Sequence, residues 1–458
     1  GVRIMAWTIN NGKLYFNTKL YTGNGGTQSI TGVGFRPQWV WMKQRNGTAY
    51  HVVTDSVRGA TKQIYPNDTQ VEGTRAQGLQ SFDTDGYTLG NEGDTNANSS
   101  SMASWNWLAA GTAPSNTYIV KVVSDSGNKY RFDDFGTSAV TLEISEGGTF
   151  TFDQSDSSNN GHPLRFATQA DGANSSQYTT GVTTNGTPGQ AGAYTRITVA
   201  ASAPTLFYYC TSHSGMGGQA NTPVTNSFSN FAGTIQSNIS PNTTAGFSIV
   251  SYTGNGGSTP KTVGHGLGVA PKMIIIKPRN LAYDWMIYNE NVGATKGMCL
   301  NTTQAPFTSS NFNDTAPTTS VFSVKNNATN ETNGTYIAYC FADVQGYSKF
   351  GSYTGNGSGT DGTFVYTGFL PSFIMFKSTS TTGGWEIHDN KRDTFNVSNK
   401  RLFPNLSNAE ATENYVDFVS NGFKFRTGDA NGNTNGTSYI YMAFAENPFT
   451  SSTGTPVT

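Results

Sequence analysis

The chain has 458 residues, a formal net charge of −1 and 12% charged residues, about half the charged share of a typical soluble domain. Near-neutrality without a basic run excludes the electrostatic footprint of a nucleic-acid-binding surface. No stretch reaches the ~18 apolar residues of a membrane-spanning helix, so membrane insertion is not expected.

With 53 Gly and 12% aromatic residues, the composition suits many short strands joined by tight turns. No window keeps a 3.6-residue apolar period, so the expected fold is all-β. A phrase of five residues, Tyr-Thr-Gly-Asn-Gly, occurs at 21–25, 252–256 and 353–357. Asn-Gly tolerates the positive φ that hairpin turns require. Each copy is followed by an apolar strand that opens on Pro and ends on Lys, at 37–43, 271–277 and 371–377, and later by an aromatic strand at 102–108, 336–342 and 439–445. A repeat of roughly 90 residues is a domain, not a solenoid turn.

In the first repeat, Trp39 and Trp41 share one strand face and could stack on sugars. Their equivalents, Met273 with Phe373 and Ile275 with Met375, are also large and apolar, which makes the pair a core stripe. The loop at 55–62 shares Gly-Ala-Thr-Lys with 289–296 but lacks the glycine spacing of a phosphate loop. Asp83-Thr-Asp-Gly86 is a hairpin turn without the further carboxylates of a calcium loop.

Residues 113–224 interrupt the series. They predict short strands at 117–123, 130–132, 140–144, 149–152, 164–166, 197–200 and 205–210, a small two-sheet sandwich. His162 stands in Gly-His-Pro, and the last strand runs into Cys210-Thr-Ser-His213-Ser-Gly-Met216. A thiolate, two imidazoles and a weak thioether are the ligands of a type 1 copper ion. Alternation puts Cys210 on the inward face with Leu206 and Tyr208.

After a polar connector at 226–244, the strand at 273–276 is apolar at every position and is expected to be buried on both faces. His265, in Gly-His-Gly, is expected in a turn or at the surface. Cys299 has no evident partner. Cys340 aligns with Ala443 and Asn106, which marks a permissive position and not a nucleophile. In the third repeat, Trp385-Glu-Ile-His388-Asp389 could serve acid–base chemistry. His388 aligns with Tyr288 and Thr54, and no Ser nucleophile or second carboxylate stands in a recognisable setting. No enzymatic activity is expected. Three cysteines do not form a disulfide framework; no signal peptide is expected at the head of the chain, and Gly in place of Met at position 1 leaves open that a segment was removed.

The residues 161–166, with His162, and the Cys210-x-x-His213-x-x-Met216 run resemble the cupredoxins, with a short amicyanin-type loop. The resemblance implies copper held by His162, Cys210, His213 and Met216. A cupredoxin fold kept as a spacer, or holding another soft metal, is the alternative. The repeat phrases, including Cys340-Phe-Ala-Asp343 and Ala443-Phe-Ala-Glu446, are similar to tandem units in virion proteins of marine tailed phages. That resemblance implies a particle component: a tail fibre or appendage, or a capsid decoration or horn protein. It would be a string of stiff sandwiches, trimeric by analogy, in contact with other virion proteins and with a glycan or protein receptor on the host. The expected architecture is three homologous β-sandwiches (jelly-roll or lectin-like) at 1–112, 225–345 and 346–458, plus the cupredoxin-like sandwich at 113–224. The rival is a secreted copper redox or carbohydrate-binding protein. A redox role would need an apolar exposed patch around His213. A lectin role would need solvent-facing aromatics at non-equivalent repeat positions, with Trp7, Tyr15 and Phe449 as candidates.

Overall fold

The structure, a computed structural model, describes residues 9, 11–111, 113–257 and 259–445. It is all-β, with 43% strand and 4% helix. Each repeat builds the same antiparallel four-strand core. In the first, Phe16–Thr22 pairs with Ser101–Trp107, which pairs with Trp39–Gln44 and then Val52–Asp55. The second uses Phe247–Thr253, Thr335–Phe341, Met273–Pro278 and Met286–Asn289 in that order. The third uses Ser348–Thr354, Ser438–Phe444, Phe373–Ser378 and Trp385–Asp389. A second, smaller sheet covers one face of each.

The repeated phrase has a mechanical role. Tyr21, Tyr252 and Tyr353 donate their hydroxyls to the carbonyls of Thr95, Thr329 and Gly432. The Asn that follows each of them donates its backbone N–H to the side-chain oxygen of a buried asparagine: Asn96, Asn330 or Asn433. A Cβ on Gly23, Gly254 or Gly355 would stand 2.1–2.3 Å from a backbone oxygen across this clamp, so the motif needs glycine there.

The repeats do not form a string. Alternate residues of each Pro-led strand face opposite ways, and both ways are buried. Val40 and Met42 face their own second sheet, as do Ile374 and Phe376. Trp39, Trp41, Met273, Ile275, Phe373 and Met375 instead enter one apolar core shared by all three repeats. There Trp39 packs on Tyr339 (centroids 4.7 Å apart), Phe16 on Phe444 (5.3 Å) and Phe341 on Phe444 (6.1 Å). The strand 273–276 lacks alternation because both its faces are interior.

Polar contacts across the seams repeat cyclically. Each terminal Lys reaches the next repeat: Lys277 Nζ donates to Thr69 O, Lys377 to Thr303 O and Lys43 to Ser407 O. Trp285 Nε1 donates to Tyr65 O, and Trp385 Nε1 to Cys299 O. The equivalent residue of the first repeat, His51, faces the backbone of Phe403. The second repeat therefore leans on the first, the third on the second and the first on the third. This is a closed pseudo-threefold ring made by one chain.

The insert is a sandwich of two five-stranded sheets. Its expected strand at 140–144 shortens to Leu142–Glu143, with Ile144 bridged to Phe228. Three strands lie beyond the expected set, at Gln177–Tyr178, Val182–Asn185 and Gly218–Asn221; they are short and polar, so no alternation announces them. The segment 226–244 is not a connector. It holds Phe228–Asn230 and Ser237–Asn242, which extend the second repeat's sheet. Phe231 within it stacks on Phe132 of the insert (centroids 5.8 Å apart). Insert and second repeat thereby share one core.

Candidate metal centre

Strand register brings the predicted ligands together. Leu164 pairs with Cys210 across Leu164–Ala167 and Leu206–Cys210, so His162, two residues upstream, lies beside the turn that carries His213. Cys210 Sγ is 3.9 Å from His162 Nδ1 and 3.7 Å from His213 Nδ1, and the three ligand atoms all fall within 4.8 Å of one another. Ligands at zinc- or copper-like bond lengths around a trigonal ion would stand about 3.8 Å apart. The observed spacing matches that of atoms around an ion, and it also lies within reach of weak sulfur–nitrogen hydrogen bonds. Cys210 is buried, His162 half-buried and His213 exposed. Met216, on the same loop, is buried in the sandwich core.

The backbone holding these side chains is over-determined. Tyr130 donates its hydroxyl to His162 O (2.9 Å) and its N–H to Met216 O (2.9 Å). Buried Gln154 donates Nε2 to His162 O and accepts from Leu164 N–H. Asp171 accepts from Gly215 N–H, and Lys129 donates to Gly215 O. A Cβ on Gly217 would lie 1.7 Å from Tyr208 O, so only glycine lets the loop close on the strand. Burial, and then the neighbouring His213, push the His162 pKa down. A neutral imidazole is the form that binds a metal. Tyr130, Gln154 and Asp171 went unnoticed in the sequence, because nothing in local spacing marks residues that act across the fold.

The chain belongs to a family of domains of unknown function, DUF7483. The family model matches residues 11–133 and 219–448. No curated protein matches, and no solved structure does. The unmatched stretch between the two segments contains His162, Cys210, His213 and Met216. The candidate ligands thus lie outside the segments that the family model matches.

Other sequence candidates fall elsewhere. His265 is buried, not at the surface: its Nε2 is 3.2 Å from Thr318 O and its Nδ1 accepts from Leu267 N–H, and burial lowers its pKa to about 4. The cause is that His265 directly follows the strand Lys261–Gly264 and carries its pairing on, donating its N–H to Ser320 O. Glu386 and His388 are fully buried. Glu386 is clasped by Arg401 through Nε at 3.0 Å, and His388 packs against both Phe376 and Tyr415, which also pack on each other. Burial, foremost, pushes the His388 pKa down. Tyr15 packs edge-on against Tyr347. Trp7 and Phe449 lie outside the described residues.

Proposed function

We propose that this chain is a structural and adhesive protein of a phage particle, a preassembled threefold block that carries one metal-binding sandwich. The observation that carries this reading is the cyclic locking of three repeats around one apolar core. One chain then does what a homotrimer does in a symmetric appendage, and the trimer expected by analogy is supplied by the three repeats themselves. A low-charge surface rich in short polar side chains keeps such a block soluble without making it electrostatically adhesive. Its place in the virion, as fibre, appendage or capsid decoration, is tested by mass spectrometry of purified particles that encode it. The chain should be present at fixed stoichiometry, and its absence from intact particles would sink the reading.

Within that block, His162, Cys210, His213 and Met216 would hold a copper ion. When bound, the ion would cross-link two strands and a loop and stabilise the sandwich by mass action. The polar shell favours a structural ion over an electron-transfer centre. Thr211, Ser212, Ser214 and Gly215, the exposed chain neighbours of exposed His213, are polar or small, which supports that preference. Adding Cu(II) should raise an intense absorption band near 600 nm, roughly where thiolate-to-copper charge transfer falls in trigonal sites. The band should vanish in Cys210→Ser. A wild-type protein without the band would leave the insert a structural spacer, empty or holding another soft metal.

A further inference from the structure

The three repeats match closely along their seams but not on their outer faces. Equivalent positions of the small sheet hold Ser29 and Thr31 in the first repeat, Thr262 and a buried Gly264 in the second, and Phe364 and Tyr366 in the third. The residue before the repeat's proline is Arg36, Ala270 or Leu370, and Thr61 and Thr295 are replaced by Phe395. In the third repeat these side chains face solvent: Phe364 is 46% exposed, Tyr366 50%, Leu370 43% and Phe395 84%. Isolated exposed apolar residues need no explanation, but several gathered on one face do.

The gathering has a polar centre. Leu370 and Phe395 flank a cleft of about 300 Å³ lined also by Asn390, Asp393, Asn396 and Phe418. Asn390 Oδ1 is buried there without a hydrogen-bond partner. Asp393 is held in place by accepting from Asn399 and Lys400 N–H through Oδ2, and Asn396 by a two-way bond with the Phe418 backbone. The Tyr366 ring reaches over Gly368, two residues before Leu370.

We infer that this cleft is a glycan-binding site on the third repeat, an inference that deepens the adhesive part of the function proposed above. A pyranose has an apolar face, which stacks on an aromatic ring, and an edge of hydroxyls that both donate and accept. The cleft presents an exposed phenyl ring beside a fixed carboxylate, two amides and an acceptor oxygen in need of a donor. Its size lies at the small end of ligand sites, enough for one or two sugar units. A protein partner would be better served by a broad apolar centre with its polar groups at the rim, and here the polar groups occupy the centre.

The test is saturation-transfer NMR on the full chain with glucose, galactose, N-acetylglucosamine and their β-linked disaccharides at millimolar concentration. Transfer to sugar-ring protons is expected from the parent and from Leu14→Ala, a control at an exposed apolar residue elsewhere. Phe395→Ala should weaken binding about tenfold, and Asn390→Ala should weaken it also. No transfer from any sugar, or transfer indifferent to Phe395→Ala, overturns the inference. So does self-association that Phe395→Ala abolishes, which would assign the face to a second copy of the chain. Incorporation into particles is read separately, so failure here leaves the architectural reading standing.

Discussion

Where the second repeat meets the first, Tyr339 donates its hydroxyl to Asp55 (2.7 Å). Asp55 also takes the Arg58 guanidinium, and Glu72 bridges Arg58 to Arg279. Where the first meets the third, Trp105 Nε1 donates to Asp389, which pairs with Arg392, and Glu410 bridges Arg392 to Arg45. Where the third meets the second, the same positions hold Met442, Asn289, Val292 and Thr379. Two seams are wired with buried charge and one is greased with thioether and methyl groups. Connectivity accounts for the difference. The third repeat follows the second after a few residues, so that seam forms at high effective concentration. The first repeat must find its neighbours across the insert and across the length of the chain, where directional donors fix register against near-misses.

The sharpest way to break this contrast is to truncate one side chain at the equivalent position of each kind of seam. Arg58→Ala leaves Asp55 in the interior without its cation, while Glu72 keeps Arg279, and losing one partner of a buried ion pair costs about 3–5 kcal/mol. Val292→Ala, at the equivalent site of the apolar seam, removes two methyl groups from a half-buried side chain and should cost about 1 kcal/mol. Urea unfolding followed by tryptophan fluorescence reads both, since Trp39, Trp41, Trp105 and Trp107 lie in the shared core. Equal losses would mean that the charges do no more than fill space.

These seams show how far the chain could be read in advance. Period-2 alternation and the Tyr-Thr-Gly-Asn-Gly phrase disclosed the strands and the repeats. The spacing of Cys210, His213 and Met216 disclosed the candidate metal set. What alternation cannot disclose is which interior a buried face belongs to. Trp39 and Trp41 read as core residues, but the core is the ring's, not the sandwich's. The Pro-led strands carried the hint, because a strand such as 273–276 that is apolar on both faces needs two partners. Asn96, Asn330 and Asn433 clamp the repeated phrase from some 75 residues away, beyond any local pattern. Phe364, Tyr366 and Phe395 pass for core residues in a sequence so rich in aromatics, and only the neighbouring repeats' Ser29, Thr31 and Thr61 betray them.

A smaller effect sharpens the comparison by touching all three seams alike. Lys43, Lys277 and Lys377 are buried, and burial lowers each pKa to about 8, against about 10.4 in an unfolded chain. Between those values the unfolded state holds more protons, so each lysine's contribution to stability rises with pH from about 8 and is lost as pH falls through the folded value. Buried Cys299, its pKa pushed up to about 12, pulls the other way above about 8.5. The quantity to read is therefore the difference between parent and a Lys→Met variant, which leaves the thiols common to both. From pH 8 to 9.5 the parent should gain on Lys377→Met by about 1 kcal/mol. This figure is kept below the full value because the ammonium is held by the carbonyls of Thr303 and Gly383. Lys43 and Lys277 lie near carboxylates, Asp94 for the first and Asp284 and Asp68 for the second, and these favour the charged form. The parent should therefore gain no more on their Met variants than on Lys377→Met. A flat difference at all three sites would mean that the ammonium groups are as well solvated by backbone carbonyls as by water, and that the ring closes without cost in charge burial.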